Sequence, residues 1–324
     1  MRVLPFREVE RGGAQGISVS VVVPVRNGGS ELADLVAALE RQSVSADRFE
    51  VLIGDDGSTD GATDRVATGN GSVRVIPGPP ENPYRARNRA AAEARGAVLA
   101  FCDVDCRPDP DWLERGLAAV EAADVVAGLV RFSLPGRRTP WSLVDMETFL
   151  DQERTVRNGR AVTANLFVRR DLFDRVGGFE DSLPNGGDQE FVARCVRGGA
   201  RLTFAPEVVV LHPPRDTARA FLGKVWRVNR VHAKRELREG RRPSAYGIRA
   251  WLPVISVMRS RHRSGRSLRL DRRRLADSGI RPTWRDDLLA LPVIYLVVPY
   301  LGAVAQLIGS HGAKGESPDL SGRA

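Results

Sequence analysis

The run ISVSVVVP at Ile17–Pro24 constrains the fold more than any other segment. It is too short to form a buried helix of useful length, it is β-branched at most positions, and a proline closes it. Such a run reads as a strand covered on both faces. Covering both faces needs helices above and below the sheet, so the chain belongs to an α/β layer architecture. The following residues repeat the pattern. Phe49–Gly54, Val73–Ile76 and Ala97–Cys102 read as further strands. Between them, Ser30 caps a helix Glu31–Gln42 with Leu32, Leu35, Val36 and Leu39 on one face, and Arg85–Arg95 is an alanine-rich helix. Beyond Pro108 the expected order is a helix Trp112–Ala123, a strand Val125–Phe132, a helical stretch 141–160 and a strand Ala161–Arg169. A helix Asp188–Arg197 and two strands, Arg201–Pro206 and Val208–Leu211, end at His212. This alternation predicts a doubly wound sheet flanked by helices, with ligands beyond the carboxyl ends of its strands.

Both acidic clusters of the first half fall at such ends. Asp103-Val104-Asp105 follows a buried strand, and carboxylates at i and i+2 converge once the chain leaves extended geometry. Hard oxygen ligands of this kind suit Mg²⁺ or Mn²⁺, cations that also bridge phosphates. Taken alone, an acidic pair in a loop is more often a solvated turn; the apolar run before it makes the ligand reading the sharper one. Asp55-Asp56-Gly57-Ser58-Thr59-Asp60 follows the second strand, where Asp56 can accept hydrogen bonds from a nucleobase or ribose. Arg26 and Asn27, after Pro24, face the same crevice. Arg85, Arg87 and Asn88 open the alanine-rich helix and can meet a diphosphate. Asp188, after the flexible Gly186-Gly187 pair, stands at a helix entrance as either a general base or an N-cap. His212 is one of four histidines, and either ligates the same metal or hydrogen-bonds at the sheet edge.

Charge divides the chain. From Pro213 to Asp287 there are 21 Lys/Arg against 7 Asp/Glu, a balance of +14. The whole chain is +9, and residues 288–324 are balanced, so residues 1–212 carry −5. The basic part asks for an anionic partner. Ala218–Glu239 reads as a helix within it, and 240–287 as Arg-rich and irregular. Leu288–Gly309 then runs 22 residues without a charge, long enough to cross a bilayer or to fold as a membrane-associated hairpin; a soluble hairpin against the catalytic domain is the alternative. Cys102, Cys106 and Cys195 form no disulfide framework and, with no second pair at finger spacing, no zinc site, which points to reduced thiols on the cytoplasmic side. Met1–Gly16 has no apolar core and reads as an extension rather than a secretory signal.

In this order, VVVPVRN (Val21–Asn27), DDGSTD (Asp55–Asp60), RARN (Arg85–Asn88), DVD (Asp103–Asp105) and GGDQEF (Gly186–Phe191) resemble the family-2 glycosyltransferases of GT-A fold. Thr163–Leu166 and Val176–Phe179 resemble the family too, so the likeness spans roughly residues 17–215. It implies a GT-A mixed sheet with a nucleotide-sugar half (17–107) and an acceptor half (108–215). A basic membrane-proximal region (216–287), an apolar segment (288–310) and a polar tail (311–324) follow. By resemblance, Pro24, Arg26, Asn27, Asp55, Asp56, Arg85, Arg87, Asn88 and Asp103 line the donor pocket. Asp105, with Asp103 and His212, holds the divalent cation. Asp188 is the catalytic base beside Glu190, and Asn165 and Gly187 lie on the acceptor side. Many members carry Glu-Asp where this chain has Gly187-Asp188, which leaves the neighbouring carboxylate's role open. The Gln-x-x-Arg-Trp signature of processive synthases is absent after His212, so a single inverting sugar addition is expected. The partners implied are a nucleotide-sugar donor, a hydroxyl acceptor (lipid-linked or an envelope-glycan precursor) and an anionic membrane surface at the cytoplasmic face.

Other classes fit less well. A nucleotidyltransferase would carry a Gly-rich loop with Arg after the first strand, where this chain has Pro24-Val25-Arg26-Asn27-Gly28-Gly29. A dinucleotide-dependent oxidoreductase would show G-x-G-x-x-G there. A nucleic-acid-binding protein would interleave aromatics with its arginines, and here they are few.

Overall fold

The computed structural model describes residues 16–67, 73–134, 136, 138–183, 185–238 and 270–313. The expected N-terminal extension up to residue 15, the Arg-rich stretch 240–269 and the tail beyond residue 313 lie outside the described residues. The described chain divides into two compact units, one of residues up to Arg131 with Leu150–His212, the other of Phe132–Phe149 with the residues from Pro213 onward.

The first unit is built on a mixed eight-stranded sheet of order β3-β2-β1-β4-β7-β6-β8-β5. Strands β1 (Val19–Val25), β2 (Phe49–Asp55), β3 (Val73–Ile76) and β4 (Val98–Cys102) run parallel to one another. Antiparallel to β4 runs β7 (Asn165–Arg169), and β6 (Val125–Phe132) pairs antiparallel with β7. The two-residue β5 (Arg107–Pro108) pairs with β8 (Leu202–His212), which is one continuous strand where two were expected.

Strands β1, β2 and β4 are buried over almost their whole length, as runs apolar on both faces require. Two polar residues inside them satisfy each other. Ser20 donates to Glu50 Oε1 at 2.7 Å, and Glu50 also accepts from the Arg95 backbone N–H at 2.7 Å and Nε at 2.9 Å. Burial opposes the charge on Glu50, but these hydrogen bonds from Arg95 and Ser20 outweigh it and hold its carboxyl below the usual glutamate range.

The helices that position the site are α1 (Gly29–Leu39), α3 (Pro83–Ala92) and α8 (Gly187–Arg197), with α2 (Ala62–Ala67) and α4 (Trp112–Ala122) beside them. Asn82, not an arginine-side residue, starts α3: its side chain accepts from the N–H groups of Tyr84 and Arg85, with Pro83 in the first turn. That helix lies close on the sheet because residue 54 is glycine; a Cβ there would stand 2.4 Å from the Ala86 carbonyl oxygen. Ser30 does not cap α1, whose N-cap is Gly28. Stretch 141–160 is two helices, α5 (Pro140–Thr148) and α6 (Gln152–Arg157), with Leu150 at positive φ between them. Helix α7 (Arg170–Val176) ends on Gly177 in the left-handed conformation.

The second unit is helical. Helix α9 (Ala218–Arg238) has 21 residues, and Asp145 on α5, fully buried, accepts from the Arg215 backbone N–H at 3.0 Å and its guanidinium at 3.3 Å. A short helix Arg272–Asp277 is followed by a long apolar one, Trp284–Gly309, within which Val293–Val297 forms a π-turn. Thr283 and Asp286 close a capping box at its start. Phe221 stacks between Trp141 and Phe149, with ring centroids 6.0 and 6.3 Å away.

Candidate active site

The parallel strands β2 and β4 end side by side with β1 between them, so Asp55-Asp56 and Asp103-Val104-Asp105 arrive at one edge of the sheet. The loops there are joined to each other. Asn27, at φ +55°, donates its backbone N–H to Ser58 Oγ at 3.0 Å, and its side-chain oxygen accepts from the Thr59 N–H at 2.8 Å. Asp60 accepts from the Gly29 N–H at 2.8 Å. Asn27 is thus a clip between the first and second crevice loops, while Arg26 beside it is exposed and Pro24 half-buried.

Asp55 is buried, its carboxylate accepting from Ser58 N–H at 3.0 Å and its carbonyl from Arg89 at 2.9 Å. Asp56, also buried, accepts from the Glu81 N–H at 2.8 Å, which ties the strand end to the loop before α3. Of the three polar residues expected on α3, only Arg87 turns inward. It is 4% exposed, its Nη2 pairs with Asp103 Oδ1 at 2.6 Å, and its guanidinium carbon stands 5.8 Å from the Tyr84 ring centre. Its Nε is buried with no protein partner. Arg85 is half-buried and pairs with Glu81 and Asp181. Asn88 faces the other way from the crevice reading: both ends of its amide serve the Phe179 backbone, donating to the carbonyl at 2.8 Å and accepting from the N–H at 3.0 Å.

The proposed ligand trio divides. A buried guanidinium needs a counter-charge, and Asp103 supplies it to Arg87. Asp105 instead meets His212, with Oδ2 and Nε2 at 3.3 Å. The sheet explains that meeting: β5 pairs Arg107 with Leu211, so the residues just before β5 lie beside the end of β8. His212 is 3% exposed and Asp105 is open to solvent over about a third of its side chain. Among the described residues no three His, Cys, Asp or Glu side chains gather as a metal group.

Asp188, in the first turn of α8, is half-buried and crowded by protein. Burial raises its carboxyl above the usual aspartate range, against the hydrogen bond from the Gln189 N–H and the charge of Arg87; the charge of Asp103 adds to the rise. The base candidate therefore shares its electrostatic environment with the sheet-edge cluster. Gly187 eases this approach, because a Cβ there would lie a tight 3.0 Å from the Tyr84 ring. Tyr84, buried under the loop, has its phenol pushed up to about 12 by burial and by the charge of Asp188. Tyr84 is a site residue that the sequence does not single out; the only signal for it was an aromatic just after the Asn82-Pro83 cap.

Two further residues of the expected site have structural partners. Asn165, placed on the acceptor side, is fully buried, and its amide is a core junction: it accepts from Trp112 Nε1 at 2.9 Å and donates to the carbonyls of Leu129 at 3.0 Å and Val208 at 2.8 Å. Glu190 is turned to Arg194, which holds it through Nε at 2.9 Å and reaches the carbonyls of Val176 and Gly178 at 2.7 Å. It ties α8 to the end of α7. Cys102 and Cys106 are buried and free, as is Cys195.

The profile of Glycosyl transferase family 2 matches residues 20–177. Glycosyltransferase AglE of Haloferax volcanii is 33% identical over 67% of this chain and 77% of its own length. The chain belongs to glycosyltransferase family 2 and is a glycosyltransferase. The Pre-mycofactocin glycosyltransferase of Mycobacterium tuberculosis is 28% identical over 64% of this chain, which spans only 45% of that protein. The mannosyltransferase PcManGT of Pyrobaculum calidifontis, solved with GDP-Man and Mn²⁺, superposes with a TM-score of 0.57 over 92% of this chain and 88% of its own, at 18% identity, and shares the fold. The fold is thus the GT-A type.

Proposed function

We propose that the chain moves one sugar from a nucleoside-diphosphate sugar to a hydroxyl acceptor with inversion at the anomeric carbon. The observation that carries this reading is the shared environment of Asp188, Arg87 and Asp103 at the edge that also bears Asp105 and His212. Asp188 takes the proton of the acceptor hydroxyl as its oxygen bonds to the anomeric carbon. The bond from that carbon to the diphosphate breaks on the opposite face, and the nucleoside diphosphate leaves with the electron pair. A carboxyl held above its ordinary range is a better proton acceptor than a free aspartate. Arg87 holds Asp103 and presents positive charge toward the diphosphate, and Asp56 lines the nucleoside side.

The donor set of Asp105 and His212, an oxygen and a nitrogen on one spot, fits a Mg²⁺- or Mn²⁺-type cation, which takes few protein ligands and completes its shell with substrate phosphates. Such a cation, when bound, neutralises charge on the leaving diphosphate. The acceptor is read as lipid-linked or an envelope-glycan precursor, met at the cytoplasmic face of a membrane through the basic and apolar C-terminal segments. A hydrolysis screen of UDP-, GDP- and dTDP-sugars with Mn²⁺ tests the donor assignment without knowing the acceptor. Release of sugar from none of them, with no nucleotide binding, would sink it. Product of retained anomeric configuration would remove the inverting step.

A further inference from the structure

The long apolar helix of the second unit has two different faces. Its 26 residues, Trp284–Gly309, give about 39 Å, enough to cross a bilayer. Its inner face, however, packs on other helices of the same unit: α5 on the first part and on the π-turn, and α9 on the remainder. The second contact is intimate. Gln306 donates to Asn229 at 3.1 Å, and a Cβ on Gly309 would stand 2.6 Å from the Arg230 carbonyl oxygen. Crossing a membrane would carry α5 and α9 into hydrocarbon with it, including buried Asp145 with its Arg215 partner and the exposed Arg219, Arg227 and Arg230. Each cation at the bilayer centre costs about 3 kcal/mol on insertion scales.

The outer face carries exposed large apolar side chains, Trp284, Leu288, Leu296, Tyr300, Val304 and Ile308, four residues apart except across exposed Pro292, with Leu289 exposed beside Leu288. A strict four-residue repeat drifts round an α-helix, and the π-turn at Val293–Val297, with more residues per turn, offsets part of that drift. The acidic residues near the start, Asp286 and Asp287, are buried in caps and hydrogen bonds, not on this row. Exposed arginines occur near it: Arg281 and Arg285 at the helix start, Arg285 lying over the Trp284 ring, Arg273 on the short helix before, and Arg219, Arg227 and Arg230 on α9, which packs on the second part of the same helix.

We propose that this helix lies in the plane of an anionic phospholipid surface, its apolar row sunk to the acyl boundary and the nearby arginines on lipid phosphates. The inference deepens the membrane association proposed above and replaces a crossing with a docked geometry. An apolar stripe with cationic side chains nearby is the chemistry of an interfacial helix. A second copy of the chain fits the stripe less well, since a two-fold pairing would set the same arginines against each other.

The test uses the full chain with single labels at Leu288→Cys, Tyr300→Cys and Ile308→Cys, all exposed positions, the three native cysteines being buried. With phosphatidylcholine vesicles containing phosphatidylglycerol, cosedimentation is expected, weakening with salt, and spin-label depth is expected to be shallow and alike at all three positions. Arg219→Ala and Arg227→Ala should each lower partitioning about fivefold. A label at Tyr300 far deeper than at Leu288 and Ile308 would establish a span and overturn the proposal. Equal binding to pure phosphatidylcholine would overturn the role of the arginines. A dimer that protects the same labels and ignores vesicles would put a second copy on the stripe instead. Nucleotide-sugar hydrolysis in the same preparations keeps the two readings apart: hydrolysis without vesicle binding sinks only the docking, and vesicle binding without hydrolysis sinks only the sugar transfer.

Discussion

The sheet unit and the helical unit use charge in opposite ways. At the sheet edge, the groups read as chemical have specific partners: Arg87 is paired with Asp103, Asp105 meets His212, and Asp188 lies in the field of the first pair. In the helical unit the buried acids Asp145, Glu147 and Asp286 hold the frame, accepting from Arg215, the Asp271 N–H and Arg138, while many arginines remain on the surface. A matched cluster fixes positions to fractions of an ångström, as chemistry needs. An outward cationic surface makes a field, which attracts an anionic partner without fixing its position. Substitution should therefore act steeply at one place and gradually at the other.

The largest effect is expected at Asp188→Asn. Loss of a positioned general base should lower transfer by about a thousandfold, while nucleotide affinity by calorimetry stays within a factor of two or so of the parent; equal loss of both would show that Asp188 mainly holds the donor. Asp105→Ala should weaken UDP or GDP binding in Mn²⁺ by about tenfold and leave binding without metal unchanged. A parent protein indifferent to metal would break that side of the comparison.

Asn165→Ala tests the frame, not the chemistry. It strands the Trp112 N–H and two buried carbonyls, so unfolding should become easier by about 3 kcal/mol, read as a lower denaturation midpoint. Normal stability with lost transfer would return Asn165 to the acceptor side. The smallest effect sharpens the cluster itself. Because burial raises the Asp188 carboxyl, the acid limb of the rate profile should lie above the usual aspartate range, the base working only above its raised pKa. Removing the opposing charge with Arg87→Gln should move that limb further up. The stability consequence has the same sign: an acid whose folded pKa is raised favours the fold below that pKa and loses the advantage as pH rises through it. A limb unmoved in Arg87→Gln would mean that the two groups do not communicate.

Much of this was legible in the order of residues. Runs such as Val19–Val25 and Val98–Cys102 are apolar on both faces, and only a covered parallel sheet accommodates them. The acidic clusters after them had to fall at one edge, whatever the details of packing. The family likeness then attached roles to Asp56, Asp103, Asp105 and Asp188. Asn165, expected on the acceptor side, and Asn88, expected in the donor pocket, bond to protein groups, which sequence does not show because an amide looks the same whether it faces a ligand or a carbonyl. Tyr84 was missed because an aromatic at the start of a helix is, by composition, only a core residue.

What the sequence determined alone is the layer architecture, the placing of the carboxylates at strand ends and the change of charge after Pro213, since these follow from periodicity and composition along the chain. Only the tertiary structure decided which partner each charge takes, that Gly187 packs closely against the Tyr84 ring, and that Phe132–Phe149 joins the C-terminal unit across a gap in sequence. Hydrophobic patterning is local and survives in one dimension. Pairing of charges and contact between faces depends on distances that exist only after the chain has folded.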